Sequence, residues 1–254
     1  MISTLLFGLL VVVLAVVLAI AGLLLIHRLL VPLIHFDSYS EATSSTHQVI
    51  TLVYGVTIAF AILLVGEQLD TAQATTQHEA SDLEAIYRLA EQLPESDRAQ
   101  VQELSRSYAQ VVVEEEWPLL AYGQGSSKAQ DTLDELRTSI QEFAPQTMGE
   151  QALYTQMLTQ VVTLEENRGL RLLESNEGVP PLLWIVLVIT GILTVTFAYL
   201  FGMEHPRVQI LRVAALAVVV ALSLYTVRVI EYPFVGEVQV RPEAFELALD
   251  TMYR

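Results

Sequence analysis

The sequence predicts an all-α membrane protein: four transmembrane helices in two hairpins, with a helical bundle inserted between helices two and three. Three observations carry this. Of 254 residues, 53% are apolar and only 17% charged, against roughly 25% charged in ordinary soluble domains. Leu5–Ile26 and Leu182–Met203 are each 22 residues without a charged side chain. At about 1.5 Å rise per residue each reaches roughly 33 Å, enough for a hydrocarbon core of about 30 Å. Between the apolar runs, residues 67–180 hold 7 Lys/Arg and 21 Asp/Glu, a net of −14, and their apolar residues recur at helical spacing.

Taken in order, the first span is Leu5–Ile26. A rival reading is a signal peptide cleaved at Ala19-Ile20-Ala21. Met1–Thr4 lacks the Lys or Arg of such a peptide and the apolar run continues to Ile26, so an uncleaved helix is the reading adopted. The second span is Val49–Gly66, with Thr51, Tyr54 and Thr57 as its polar side chains. The third is Leu182–Met203. The fourth, Val208–Ile230, carries Arg212 and Arg228 near its ends, where long basic side chains snorkel to the interface. Residues 27–48 join the first hairpin and Glu204-His205-Pro206-Arg207 the second. The divisions are 1–66 for the first hairpin, 67–180 for the bundle, 181–230 for the second hairpin and 231–254 for a tail that packs on the bundle.

Within the bundle, four stripes mark helices: Leu83, Ile86, Ala90 and Leu93; Val101, Leu104, Tyr108 and Val111; Leu133, Leu136, Ile140 and Phe143; Leu153, Met157, Val161 and Leu164. Breaks are expected at Pro94, Trp117-Pro118, Gly123-Gln124-Gly125 and Pro145. Ser127 with Gln130 reads as a capping box, and Ser45 with Gln48 as the opening of the second span. No proline lies between Val49 and Leu93, so the second span is expected to run on into the first bundle helix. In the tail, Pro233 ends the fourth span, Gly236 allows a turn, and Glu243–Met252 forms a short helix with Phe245, Leu249 and Met252 on one stripe. Arg228 and Glu231, three apart, are placed to pair.

The absence of cysteine excludes disulfides, thiol catalysis and Cys-ligated metals. With 13 basic against 29 acidic residues, no basic patch for nucleic acid is expected. No catalytic motif is present, and neither an enzyme nor a cofactor is expected. Glu114-Glu115-Glu116 reads as a solvated helix end in preference to a cation site, and His35, Asp37 and His47 make only a weak metal set. His27, His35, His47 and His205 gather on the hairpin side, where protonation near neutral pH beside Arg28 and Arg207 would favour anions. Small-residue pairs, Ala15/Ala19, Gly55/Ala59 and Ala217/Ala221, permit close helix packing. The second span is the candidate pore lining, through Thr51, Tyr54, Thr57, Ile58, Ala61 and Val65. Its hydroxyls would replace part of an ion's hydration shell; hydroxyls bonded to their own helix carbonyls are the open alternative.

The tail, Pro233-Phe234-x-Gly236 followed by Val240-x-Pro242-x-x-Phe245, resembles the C-terminal signature of the bacterial bestrophin-like family. His78–Pro94, Glu116-Trp117-Pro118, Asn167-Arg168 and Leu183-Trp184 agree with it. The resemblance implies a four-helix membrane protein. Likeness to true bestrophins is architectural: those are pentameric anion channels with two membrane hairpins separated by a helical cytosolic region, the second span lining the pore. An acidic calcium clasp after the fourth span is not recognisable here. The resemblance implies a homo-oligomer, pentamer or tetramer, in the bacterial inner membrane with the bundle cytoplasmic. Arginine placement does not decide that side: Arg28, Arg207 and Arg212 oppose Arg168, Arg171, Arg228 and Arg241. The expected function is an oligomeric ion channel in contact with membrane lipids and inorganic ions. The alternative is a non-conducting scaffold or sensor that binds a partner through its bundle.

Overall fold

The computed structural model describes residues 2–29, 40–200 and 206–254, and its regular structure is helical throughout the described residues. The α-helices are α1 (Ile2–Leu29), α2 (Ser40–Leu89), α3 (Glu95–Val111), α4 (Trp117–Leu120), α5 (Ser127–Glu142), α6 (Met148–Glu174), α7 (Pro181–Phe197), α8 (Pro206–Ile230) and α9 (Glu243–Met252). Three helical stretches are long and apolar enough to cross a membrane: Leu6–Arg28, Ser45–Gln92 and Pro206–Ile230. The fourth apolar helix, α7, has 17 residues, the lower end of the range of about 17–25 that spans a bilayer. Both α7 and α8 open on proline, whose missing N–H costs nothing in the first turn.

The chain divides into two compact units, residues 1–66 with 178–231 and residues 67–177 with 232–254; α2 contributes to both. In the first, Tyr54, Ile58, Ala61 and Val65 of α2 pack with Val179, Leu187 and Val227. Ala19 and Leu23 of α1 pack with Ala198, Tyr199, Val213 and Ala217. Gly191 sets the spacing between α7 and its neighbours: a Cβ there would lie 2.9 Å from Val220 Cγ1 and 3.4 Å from the Tyr54 ring. Of the small-residue pairs, Ala19, Ala217 and Ala221 are buried, whereas Gly55 and Ala59 are exposed and nothing lies within 4 Å of a Cβ added at Gly55.

The second unit has a core of Leu83 and Ile86 from α2, Val101 and Tyr108 from α3, Leu133, Leu136 and Ile140 from α5, Leu153, Met157, Val161 and Leu164 from α6, and Phe245, Ala248 and Met252 from α9. Tyr87 donates its hydroxyl to the Met252 carbonyl at 2.8 Å. Three local expectations need correction. Ser45 lies inside α2, which already runs from Ser40. The N-cap of α5 is Ser126, whose Oγ accepts from Ala129 N, not Ser127; the capping box of this region is Thr147 with Glu150, opening α6. Trp117-Pro118 does not break the chain's helical path. Pro118 cannot donate to the Glu114 carbonyl and its ring crowds it, so the backbone widens into a π turn over Val112–Glu116, with Trp117 N donating to Val112 O. Helix resumes at once in α4.

Candidate functional site

Among the described residues, only one side of the apolar segment of α2 is covered. Of the six residues expected to line a pore, Tyr54, Ile58, Ala61 and Val65 are buried inside the first unit, in the contact with α7 and α8. Thr51 and Thr57 are half-buried on opposite flanks of that contact. Tyr54 follows the burial because its ring fills the space beside Gly191 while its hydroxyl reaches the Val220 carbonyl at 3.4 Å. Thr57 Oγ1 donates to its own helix at Val53 O, 2.8 Å away. The exposed side of the segment is apolar: Leu52, Val56, Phe60 and Leu63 are exposed. Between these and the buried side runs a shallow depression lined by His47, Gln48, Thr51, Leu52, Gly55, Val56 and Ala59. Thr51 Oγ1 is buried there without a hydrogen-bond partner among the described residues, an unusual state for a hydroxyl.

The second unit buries a charged network. Glu79, Glu116 and Arg171 are fully buried and Arg168 nearly so. Arg171 Nε donates to Glu79 Oε2 at 2.6 Å, and its Nη2 to Glu79 Oε1 at 2.9 Å and to Glu116 Oε1 at 2.7 Å. Arg168 donates to both oxygens of Glu116, at 3.2 and 2.7 Å. Tyr108 gives its hydroxyl proton to Glu79 Oε1 at 2.7 Å, and Ser126 N donates to Glu116 Oε2 at 2.8 Å. Two carboxylates thus meet two guanidiniums, with formal charges balanced. Burial pushes the Glu116 carboxyl up, but hydrogen bonds from Arg168 and the charge of Arg171 outweigh it and hold the group below its usual value. Burial lowers the Arg171 guanidinium, yet the Glu79 charge and hydrogen bonds more than restore it. Burial, reinforced by Glu79, lifts Tyr108 well above an ordinary phenol. Glu116 is consequently not part of a solvated helix end; Glu115, with Lys128 at 2.5 Å, lies in a more exposed pair.

The tail residues close on this network. Trp117 meets Phe234 and Phe245 edge-on, with centroids 5.7 and 6.3 Å apart. The Arg171 guanidinium lies 5.5 Å from the Trp117 ring and 5.8 Å from Phe245. Val240 N donates to Pro233 O at 2.7 Å, closing a turn in which Gly236 takes φ +98°. Pro242 caps α9. In the first unit Arg228 pairs with Glu231 at 3.0 Å, and Glu231 also accepts from Trp184 Nε1 at 2.8 Å.

Glu79, Tyr108 and Arg171 were not singled out in the sequence as partners. A signal existed: continuing the α6 stripe Leu153, Met157, Val161, Leu164 by four and then three residues lands on Arg168 and Arg171. Of the histidines, His27 Nε2 lies 3.0 Å from Gln209 Nε2 and His47 is buried. His35 and His205 lie outside the described residues, as does Asp37. Among the described residues no group of three His, Cys, Asp or Glu side chains is placed to hold a metal ion.

Comparison with known proteins follows the same outline. A point mutant of a bacterial bestrophin homologue from Klebsiella pneumoniae superposes with TM-score 0.73, covering 97% of this chain and 99% of that one at 10% identity. A membrane protein point mutant gives TM-score 0.72 over 96% and 98% at 12% identity. Another Klebsiella pneumoniae homologue variant gives 0.69 over 99% and 94% at 14% identity. Likeness at such identity establishes a shared fold. No curated protein matches the chain significantly. The bestrophin-like domain model, however, matches residues 13–245, nearly the whole sequence, and the chain belongs to the bestrophin-like domain family.

Proposed function

We propose that the chain assembles into a homo-oligomeric ion channel of the bacterial inner membrane, with all four apolar helices spanning the bilayer and α2 of each copy lining the conduction path. The observation that carries this reading is the full-length fold likeness to bestrophin homologues together with family membership. Position on α2 is then a matter of what remains uncovered. Residues buried inside one protomer cannot line a path between protomers, so the lining face moves from Tyr54, Ile58, Ala61 and Val65 to Leu52, Gly55, Val56, Ala59 and Leu63, with Thr51 at its edge. That face is an apolar constriction with small residues at its middle, a geometry that gates by dewetting. The net −14 of residues 67–180 raises local cation concentration, so cation permeation is the expected preference.

Ion flux from proteoliposomes containing a verified oligomer tests this. Ala59→Trp should abolish flux and Val56→Thr should raise it; Ala61→Trp should instead damage folding. Wild-type flux from both Ala59→Trp and Val56→Thr would remove this face from the path. An intact oligomer silent across ionic conditions would favour the scaffold reading. Flux compared at pH 5 and pH 8 tests the histidine set.

A further inference from the structure

The first unit contains a slot between α1 and α7 whose floor is α8. Small residues make it: Ala15 and Ala19 on α1, Gly191 on α7, Ala217 and Ala221 on α8. Its volume is about 530 Å³, within the range of about 300–1,000 Å³ typical of ligand sites. From Ala217 to Arg228 it follows α8 for eleven residues, about 16 Å, or roughly half of a hydrocarbon core of about 30 Å.

One end of the slot is polar. Trp184, Tyr225 and Arg228 line it, the residue types that settle at a membrane–water interface. Glu231 holds two of them, accepting from Trp184 Nε1 at 2.8 Å and from Arg228 Nη1 at 3.0 Å. The carboxylate sits behind: the Glu231 side chain is 7% exposed and that of Arg228 62%. The mouth therefore presents a cation, and a guanidinium fork suits phosphate oxygens.

We infer that this slot binds one acyl chain of an anionic phospholipid, with the lipid's phosphate at Arg228. The apolar lining selects a hydrocarbon chain, and the exposed Arg228 at one end selects negative charge. The inference rests on the transmembrane placement of α1, α7 and α8 and is independent of whether the assembly conducts.

The chain has two tryptophans, so Trp117→Phe leaves Trp184, at the mouth, as sole reporter. In phosphatidylcholine nanodiscs, phosphatidylglycerol brominated on its acyl chains should quench Trp184 about fivefold more strongly than brominated phosphatidylcholine at equal mole fraction, the ratio one arginine near an anionic headgroup supplies. Ala221→Leu and Ala15→Phe, which fill the slot, should remove the excess quenching. Arg228→Gln should bring the ratio to about one while both lipids still quench. Equal quenching by the two lipids in the parent protein would mean annular contact only and overturn the inference. So would an excess untouched by the slot-filling variants, or Ala221→Cys cross-linking to a second copy. Should Trp117→Phe fail to fold, native mass spectrometry of the unmodified chain reads the same point: retained phosphatidylglycerol must vanish in Ala221→Leu.

Discussion

Arg171 ties the acidic unit together: two carboxylates, a tryptophan and a phenylalanine surround it. Removing one partner of a buried pair strands the other charge, at about 3–5 kcal/mol. Arg171→Met and Glu79→Gln should each lower the thermal midpoint of the detergent-purified protein strongly. Glu79→Gln combined with Arg171→Met should recover part of that loss, and a double variant no better than the worse single one would contradict coupling. Tyr108→Phe loses one hydrogen bond to a carboxylate, about 1.5–3 kcal/mol. Acid has a definite sign. Glu116 is held below its usual value, so its contribution is complete above the unfolded pKa of about 4.3 and disappears as pH falls through the lower folded value. Midpoints measured from neutral pH downward should fall in that window, and Glu116→Gln, starting lower, should show a flatter acid limb.

At the scale of elements, α2 runs without interruption from Ser40 to Leu89, through Gly66. Nothing lies within 4 Å of a Cβ added there, so Gly66→Ala should stabilise by about 0.5–1 kcal/mol through helix propensity alone. A lowered midpoint would mean that the residue bends in the working protein. Gly191→Leu should do the opposite, costing about the 1–3 kcal/mol of an overpacked contact, because even its Cβ would come within 2.9 Å of Val220 Cγ1 and 3.4 Å of the Tyr54 ring. Much of this architecture was legible in the sequence: the apolar runs, the helical stripes, and α9 over Glu243–Met252, where Phe245 and Met252 point inward. What was not legible has a common cause. In each case residue type and helical register point to different faces. Arg168 and Arg171 look solvent-facing by type but continue an apolar stripe, Glu116 is buried at the end of the π turn that shifts the helical register, and Tyr54 carries a hydroxyl but is buried with its ring. Pro118 looks like a break, yet a π turn absorbs it.

For the molecule as a whole, the buried tail and ion-pair network account for stability of the acidic unit, and the small residues of α1, α7 and α8 account for packing in the apolar one. Neither covers the outward face of α2, where Leu52, Val56 and Leu63 are exposed among the described residues. Gly55 and Ala59 lie between them, and the proposed assembly would turn these small residues toward its axis. The most direct test is planar-bilayer recording from purified protein whose subunit number has been counted in the same preparation. Conduction by the oligomer, with a reversal potential in asymmetric KCl on the cation-selective side and current lost in Ala59→Trp, is the predicted result. A verified oligomer that passes no current under any salt or pH condition would contradict it.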